Sequence, residues 1–326
     1  MTQTLPQAIA HFSPALPVAV AFSGGADSTA LLLACQQQWP GRVGAIHIHH
    51  GLQAAADDFQ RQCERVCLQM GVPLVVCRVN ASAQDGQSPE EAARNARYRA
   101  FAALAKEGWP QHATQGISQP KTLALAQHAD DQVETVLMAL GRGAGLPGLA
   151  AMPKHWRRDG IDFHRPLIEV SAGDIRNWLA QHRADFSEDP SNADMRFTRN
   201  QIRVRIMPVL QLVFPHLRDT FARSATHAAQ AQELLRELGE DDLVGVENAS
   251  GEGLVIKQLQ ALKRARQANL LRHWFKTRFA TQATTAQLDE LLDQIAACVT
   301  RGHKINIKLG AGFAVRRDEI LTWYNQ

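Results

Sequence analysis

The sequence contains no Gly-Lys dipeptide, no Cys-x-x-Cys pair and no apolar run near the roughly 18 residues that span a bilayer. Without Gly-Lys there is no Walker A loop. The five cysteines that are present (Cys35, Cys63, Cys67, Cys77 and Cys298) are odd in number and unpaired in spacing, which suits a reducing cytosol. The N-terminus, MTQTLPQAIAHFSP, lacks a basic start followed by an apolar core and does not read as a signal peptide. A cytoplasmic protein with no membrane segment is expected. A dominant charge is also missing: 35 Lys and Arg oppose 32 Asp and Glu, for a net +3. The distribution of charge therefore carries more information than its total. What remains is ordinary globular material, 45% hydrophobic and 21% charged over 326 residues. That is enough for a sizeable core without staples, and for two domains.

Short apolar runs alternate with helical patterns through the first half. PVAVAF (17–22), VGAIHI (43–48), LVVCRV (74–79) and KTLALA (121–126) read as buried strands. Residues 27–38, 54–70, 88–106 and 130–140 read as helices, the third opened by Ser88 as cap and Pro89 in the first turn. The expected fold class is α/β, a doubly wound, mostly parallel sheet covered on both faces, with ligands beyond the strands' carboxyl ends. The pattern changes after about residue 215. A helix from Leu217 to Glu237, a connection at Gly239–Gly245, helices at 258–278 and 285–297, and β-like runs at 305–309 and 319–324 follow. These predict a catalytic domain over 1–215 and a smaller α+β domain over 216–326.

The strongest local signal is Ser23-Gly24-Gly25-Ala26-Asp27-Ser28, between a strand and a helix. There, successive backbone N–H groups and a helix N-terminus can face an anion, with the two serine hydroxyls as further donors. Asp27 beside bound phosphate requires a bridging divalent cation, which points to Mg²⁺. The string resembles the PP-loop of the N-type ATP pyrophosphatases, which cleave ATP between the α and β phosphates to adenylate a substrate. A GxGxxG match, Gly143 to Gly148, follows a helix rather than a strand; Pro147 disfavours a helix starting inside it, so it reads as an exit from the preceding helix.

Gln127-His128-Ala129-Asp130-Asp131-Gln132-Val133-Glu134 begins where the fourth strand ends. His128, Asp131 and Glu134 share a helical face, as do Asp130 and Glu134. Such acids either complement the helix dipole or, at a strand's carboxyl end, serve chemistry. In Pro89–Arg99, a charged face paired i,i+4 (Glu90–Arg94) competes with arginines that reach phosphates. His47 and His49 fall on one strand face and His50 on the other, without a Cys pair or HxxxH to make zinc the better reading. Two stretches are rich in cations and free of acid. Residues 195–218 carry Arg196, Arg199, Arg203, Arg205 and Arg218; residues 253–288 carry Lys257, Lys263, Arg264, Arg266, Arg272, Lys276 and Arg278. Each is either a solvated face or a contact for a polyanion, meaning nucleic acid.

Taken together, VAFSGGADSTALLLA, IHIHHGL, SPEEAARNARYRAF, ALAQHADDQVETVLMALGRGAGLPGLAAM, FHRPLIE and FSEDPSNADMRFTRNQIRVRIMPVL resemble the tRNA(Ile)-lysidine synthetase family over about residues 18–210. QLQALKRARQANLLRHWF and the β-like tail resemble that family's substrate-binding domain less sharply. Longer members carry a further C-terminal domain, whereas this chain stops at Gln326. The resemblance implies ligation of L-lysine to the 2-position of the wobble cytidine in tRNA(Ile) with anticodon CAU, using ATP and Mg²⁺ and changing decoding from AUG to AUA. It implies ATP at Ser23–Ser28, metal at Asp27, and catalysis by Asp27, His128, Asp131, Glu134 and Arg97. Lysine would sit at Asp131 and Glu134, the adenylate at Arg94 or Arg97. The tRNA would lie on Arg196, Arg199, Arg203, Arg205, Lys263, Arg264 and Arg266. A homodimer is left open as the assembly.

Rival readings are a tRNA thiolase, an amidotransferase-type synthetase and a nucleotide-binding regulator without chemistry. Thiolation needs sulfur-carrying cysteines, and Cys63 and Cys67 read as core. An amidotransferase needs a glutaminase nucleophile or partner. A regulator leaves the acid cluster and the basic second domain unexplained.

Overall fold

The computed structural model describes residues 2–49, 56–80, 89–108, 120–188, 190–300 and 302–325. His50 and Ser88 lie outside them, and of Glu90 only the backbone is described. The elements, in chain order, are α1 (Leu5–Ala10), β1 (Val18–Ala21), α2 (Ala26–Gln38), β2 (Val43–His49), α3 (Ala56–Met70), β3 (Leu74–Arg78), α4 (Pro89–Glu107), β4 (Thr122–Ala124) and α5 (Ala129–Gly141). Then come α6 (Leu146–Leu149), β5 (His155–Arg158), β6 (Ile161–His164) and α7 (Ala172–Gln181). A helical stretch follows as α8 (Thr198–Gln201), a π-helical segment (Ile202–Ile206) and α9 (Met207–Val213). The remainder is α10 (Leu217–Val246), β7 (Leu254–Val255), α11 (Ile256–Ala261), α12 (Arg264–Phe279), α13 (Thr285–Ala296), β8 (Asn306–Leu309), β9 (Gly312–Arg317) and β10 (Ile320–Asn325).

The first sheet has the order β3-β2-β1-β4-β6-β5, parallel except for the edge strand β5. Alternation along β1 divides its core. Val18 and Val20 pack with Leu31, Leu32 and Leu179 on one face, and Ala19 with Tyr98, Phe101 and Phe163 on the other. Helices therefore cover both faces, as the α/β reading requires. The strand order runs outward in two directions from the β1–β4 pair, so the crevice beyond their carboxyl ends is the topological switch point. Ser23–Ser28 follows β1 and Gln127–Glu134 follows β4. The fold alone brings the two strongest motifs together.

Contacts divide the chain into two compact units, Met1–His227 and Ala228–Gln326, with the division inside α10. The second unit packs Leu270, Trp274, Phe275, Leu288 and Leu292 against an antiparallel sheet of order β7-β10-β9-β8.

Several expectations need correction. The connection expected at Gly239–Gly245 is helical, because α10 continues to Val246. A Cβ at Gly239 would stand 2.9 Å from that of His273, so the glycine lets α12 approach closely. Asn269 Nδ2 donates to the Leu235 carbonyl (2.7 Å) in the same contact. Packing here outweighs glycine's poor helix propensity. The single helix expected at 258–278 breaks at Leu262 and Lys263, both extended. A one-turn helix does begin inside the GxGxxG match, at Leu146, with Pro147 in its first turn, where a missing N–H costs nothing. The β5–β6 hairpin and β9 were unread strands. Asp159-Gly160, both at positive φ, turns that hairpin and is a recognised hairpin signal.

Candidate functional site

The loop after β1 is built around its own polar groups. Ser23 N–H donates to Ser28 Oγ (3.2 Å), Ser28 Oγ donates to the Gly25 carbonyl (3.0 Å), and the two serine hydroxyls lie 3.1 Å apart. Gly24 sits at φ +82°, and a Cβ there would also press on Cys63 Sγ at 3.1 Å. Its carbonyl accepts from Ser187 N–H at 2.8 Å. Gly25 caps α2 without a side-chain hydrogen bond, so the first N–H groups of that helix have no side-chain cap. Asp27 is in the first turn of α2, half-exposed.

His128 caps α5 through a reciprocal box: its N–H donates to Asp131 Oδ2 (3.1 Å), and Asp131 N–H approaches its Nδ1 (3.4 Å). The Nε2 of the same ring lies 3.6 Å from Asp27 Oδ2 and 3.5 Å from Asp131 Oδ2. Burial works against the imidazolium, but Asp131, Asp27 and Asp130 outweigh it and raise the pKa to about 9. At that value the long Nδ1 contact gives way to charge. For Asp27, burial pushes upward, yet His128, Arg176 and Arg203 carry its carboxyl below the usual range.

The acids of α5 each meet an arginine. Arg203, in the π-helical segment, grips fully buried Glu134 with Nε–Oε1 at 2.7 Å and Nη2–Oε2 at 3.0 Å, and reaches Asp131 Oδ1 at 3.3 Å. Burial raises Glu134 above the ordinary carboxylate value, but the bidentate guanidinium is charged and holds it as the carboxylate. Arg199 Nε is 3.7 Å from Glu134 Oε2 and buried without a hydrogen-bond partner. Arg218 binds Asp130 Oδ1 through Nε (2.9 Å) and Nη2 (2.5 Å), while Asp130 Oδ2 accepts from Ala172 N–H (2.8 Å).

The expected site residues thus fall into groups. Asp27, His128, Asp131 and Glu134 converge, joined by Arg199 and Arg203. Arg94 is exposed, 5.4 Å above the Tyr98 ring; Arg97 is half-buried, and burial lowers its pKa. Among the described residues neither bonds the loop or the α5 acids. Arg196 pairs with Asp194 (2.7 Å), and Arg205 is exposed. In the second unit Lys263 is exposed, Arg264 holds Asp293 (2.7 Å), and Arg266 holds buried Asp242. Sequence reasoning missed two partners: Arg203 as the counter-ion of Glu134, and Arg165, buried beside the site. No local spacing marked the first: Arg199 and Arg203 both face Glu134, whereas Asp130 meets Arg218.

Among the described residues no cluster of three or more His, Cys, Asp and Glu suits a metal ion. Mg²⁺ needs only one or two carboxylates beside substrate phosphates, and Asp27 with Asp131 fits that requirement. His47 Nδ1 donates to the Phe22 carbonyl (2.9 Å) and His49 contacts Asp57 (3.1 Å), both packed roles. All five cysteines are free, and burial pushes Cys63 and Cys67 up to about 12, which removes a reactive thiolate. No helix of the described residues is long and apolar enough to cross a membrane.

Residues 1–210 match the family model described as PP-loop domain, and residues 254–321 match the TilS substrate binding domain. The chain is 53% identical over 304 residues to the tRNA(Ile)-lysidine synthase of Polaromonas naphthalenivorans, covering 93% of this chain and 88% of that one. It is 40% identical over 310 residues to the Burkholderia pseudomallei protein of the same name, covering 93% of this chain and 61% of that longer one. Among solved structures, the U34-tRNA thiolase NcsA from Methanococcus maripaludis superposes with a TM-score of 0.55 at 14% identity, covering 68% of this chain and 77% of that one, a likeness of fold.

Proposed function

The chain belongs to the tRNA(Ile)-lysidine synthase family, and from that premise we propose that it ligates L-lysine to the wobble cytidine of tRNA(Ile) with anticodon CAU in the cytoplasm. The reaction consumes ATP in two steps. The cytidine 2-carbonyl oxygen attacks the α-phosphate and pyrophosphate leaves; the lysine ε-amine then attacks carbon 2 and AMP leaves. The observation that carries this reading is the convergence of Asp27, His128 and Asp131 at the switch point.

In this scheme the Ser23–Ser28 amides and the start of α2 receive the ATP phosphates. Mg²⁺, held by Asp27 with Asp131, would neutralise charge on the leaving pyrophosphate. Protonated His128 keeps the two carboxylates close before the phosphates arrive. Lysine's ammonium takes a place at Asp131 and Glu134, and one of these acids removes its proton so that the amine becomes a nucleophile. Arg203 occupies that place here, so lysine must displace it. Arg94 or Arg97 turns to the adenylate. Arg199 and Arg203 face Glu134, so the tRNA contact falls chiefly to Arg205 and Lys263, and less to Arg196, Arg264 and Arg266, which hold carboxylates.

Incorporation of labelled lysine into a tRNA(Ile) transcript, dependent on ATP and Mg²⁺, tests the reading. Asp27→Ala should remain folded and lose tRNA-dependent ATP–pyrophosphate exchange. A transcript that gains no lysine, or full exchange by the folded variant, would overturn the corresponding step.

A further inference from the structure

Among the described residues, β5 is the edge of the first sheet and pairs only with β6. Its sequence is His-Trp-Arg-Arg, preceded by Lys154. Trp156 and Arg158 turn toward α4, whereas His155, stacked on His164 at 4.3 Å, and Arg157 take the other face. Tyr98 of α4 is a hub for cations. Arg94 stands 5.4 Å and Arg158 5.0 Å from its ring centre. Arg165, just beyond β6, lies 4.1 Å over the Trp156 ring.

Arg165 is only 2% exposed and has no carboxylate partner among the described residues. Its Nε donates to Gln127 Oε1 (3.0 Å) and its Nη1 to the Pro153 carbonyl (2.7 Å). Burial drives its pKa down to about 10. The acids nearby are few. Asp159 pairs with Arg158 (3.2 Å), Asp162 with His155 (3.6 Å), and Glu169 with Lys154 (2.7 Å). No ion pair reaches Arg94 or Arg157 among the described residues.

Cations on an edge strand also deter edge-to-edge pairing. That explains Arg157 and Arg158, but not why Arg94 and Arg165 arrive from other elements onto the same two rings. Guanidinium planes held on aromatic faces are pre-oriented for phosphate and for bases. Flexible RNA loops are recognised by that combination. The cluster also adjoins the site, since Gln127 immediately precedes His128. We propose that the corner formed by α4 and the β5–β6 hairpin is a contact surface for the phosphodiester backbone of the RNA substrate; the proposal rests on the functional reading above.

The test is tRNA binding by the full chain across a salt series, comparing wild type, Arg158→Ala and Arg158→Lys. The alanine variant should weaken binding about two- to fivefold and flatten the salt slope by about 1, with melting temperature and ATP binding unchanged. The lysine variant should restore the slope. Unchanged affinity and slope in the alanine variant, with wild type binding normally, overturns this surface alone. A wild type that binds no tRNA overturns the surface together with the functional reading.

Discussion

In the first unit Arg199, Arg203 and His128 share Asp27, Asp131 and Glu134, one mesh of charges within hydrogen-bonding or ion-pair reach. In the second unit Arg264, Arg266 and Arg278 hold Asp293, Asp242 and Glu247, one carboxylate to each arginine at close range. Arg266 and Arg278 tie α12 to the end of α10, and Arg264 ties it to α13. The mesh gathers groups whose protonation and position depend on each other, as a site for charged substrates needs. The separate pairs act as fasteners. They leave Lys257, Lys263, Arg272 and Lys276 as the outward cations of that stretch.

The sharpest test of this contrast is stability. Arg203→Ala takes from buried Glu134 its bidentate partner, leaving only Arg199 at 3.7 Å, and should cost about 3 kcal/mol. Arg264→Ala breaks an exposed pair and should cost at most about 1 kcal/mol. Equal urea midpoints for the two variants would dissolve the distinction.

The mesh should also be sensitive to pH. His128 binds its proton more tightly when folded, with a pKa of about 9 against 6.5. Its stabilisation is therefore fully present below about pH 6.5 and is lost as pH rises through about 9, on the order of 3 kcal/mol in all. His128→Asn, which retains a capping side chain, should flatten that part of the stability–pH curve. A wild-type curve flat from pH 6.5 to 9 would contradict the raised value.

A smaller effect falls on substrate. Glu134→Gln should weaken apparent lysine affinity by about 1.5–3 kcal/mol, with less effect on ATP–pyrophosphate exchange. Unchanged lysine affinity would assign Glu134 to Arg203 alone. The least effect belongs to the second unit. Replacing Lys263, Arg264 and Arg266 with alanine should lower the salt slope of tRNA binding by only about 1, because two of the three already hold carboxylates. A drop near 3 would mean that those pairs open on binding.

Much of the arrangement was legible from local chemistry. Val18–Phe22 followed by a glycine-rich turn fixed the place of the anion loop. A strand ending just before Gln127-His128 fixed the place of the acids. Parallel-sheet logic then joined them. The pairing of Arg203 with Glu134, 69 positions apart, was not legible, because a run of arginines carries no record of where its counter-charges fold. Helix α10 was cut short for a similar reason. Gly239 weakens a helix by itself, and only the approach of His273 on a distant helix explains it.

The π-helical segment has a consequence for chain length. Ile202 and Met207 are both buried with Val133 and Leu217. Five residues along an α-helix they would stand about 140° apart around the axis. The wider turn brings them to one side while Arg203, between them, stays on Glu134. Register, not composition, sets this stretch. Removing one residue between 203 and 207 would leave Ile202 and Met207 four apart, about 40° around an ordinary α-helix, and so keep both apolar side chains on one side. Val204, 56% exposed and without a described polar role, is therefore a residue whose deletion should leave α9 packed in phase.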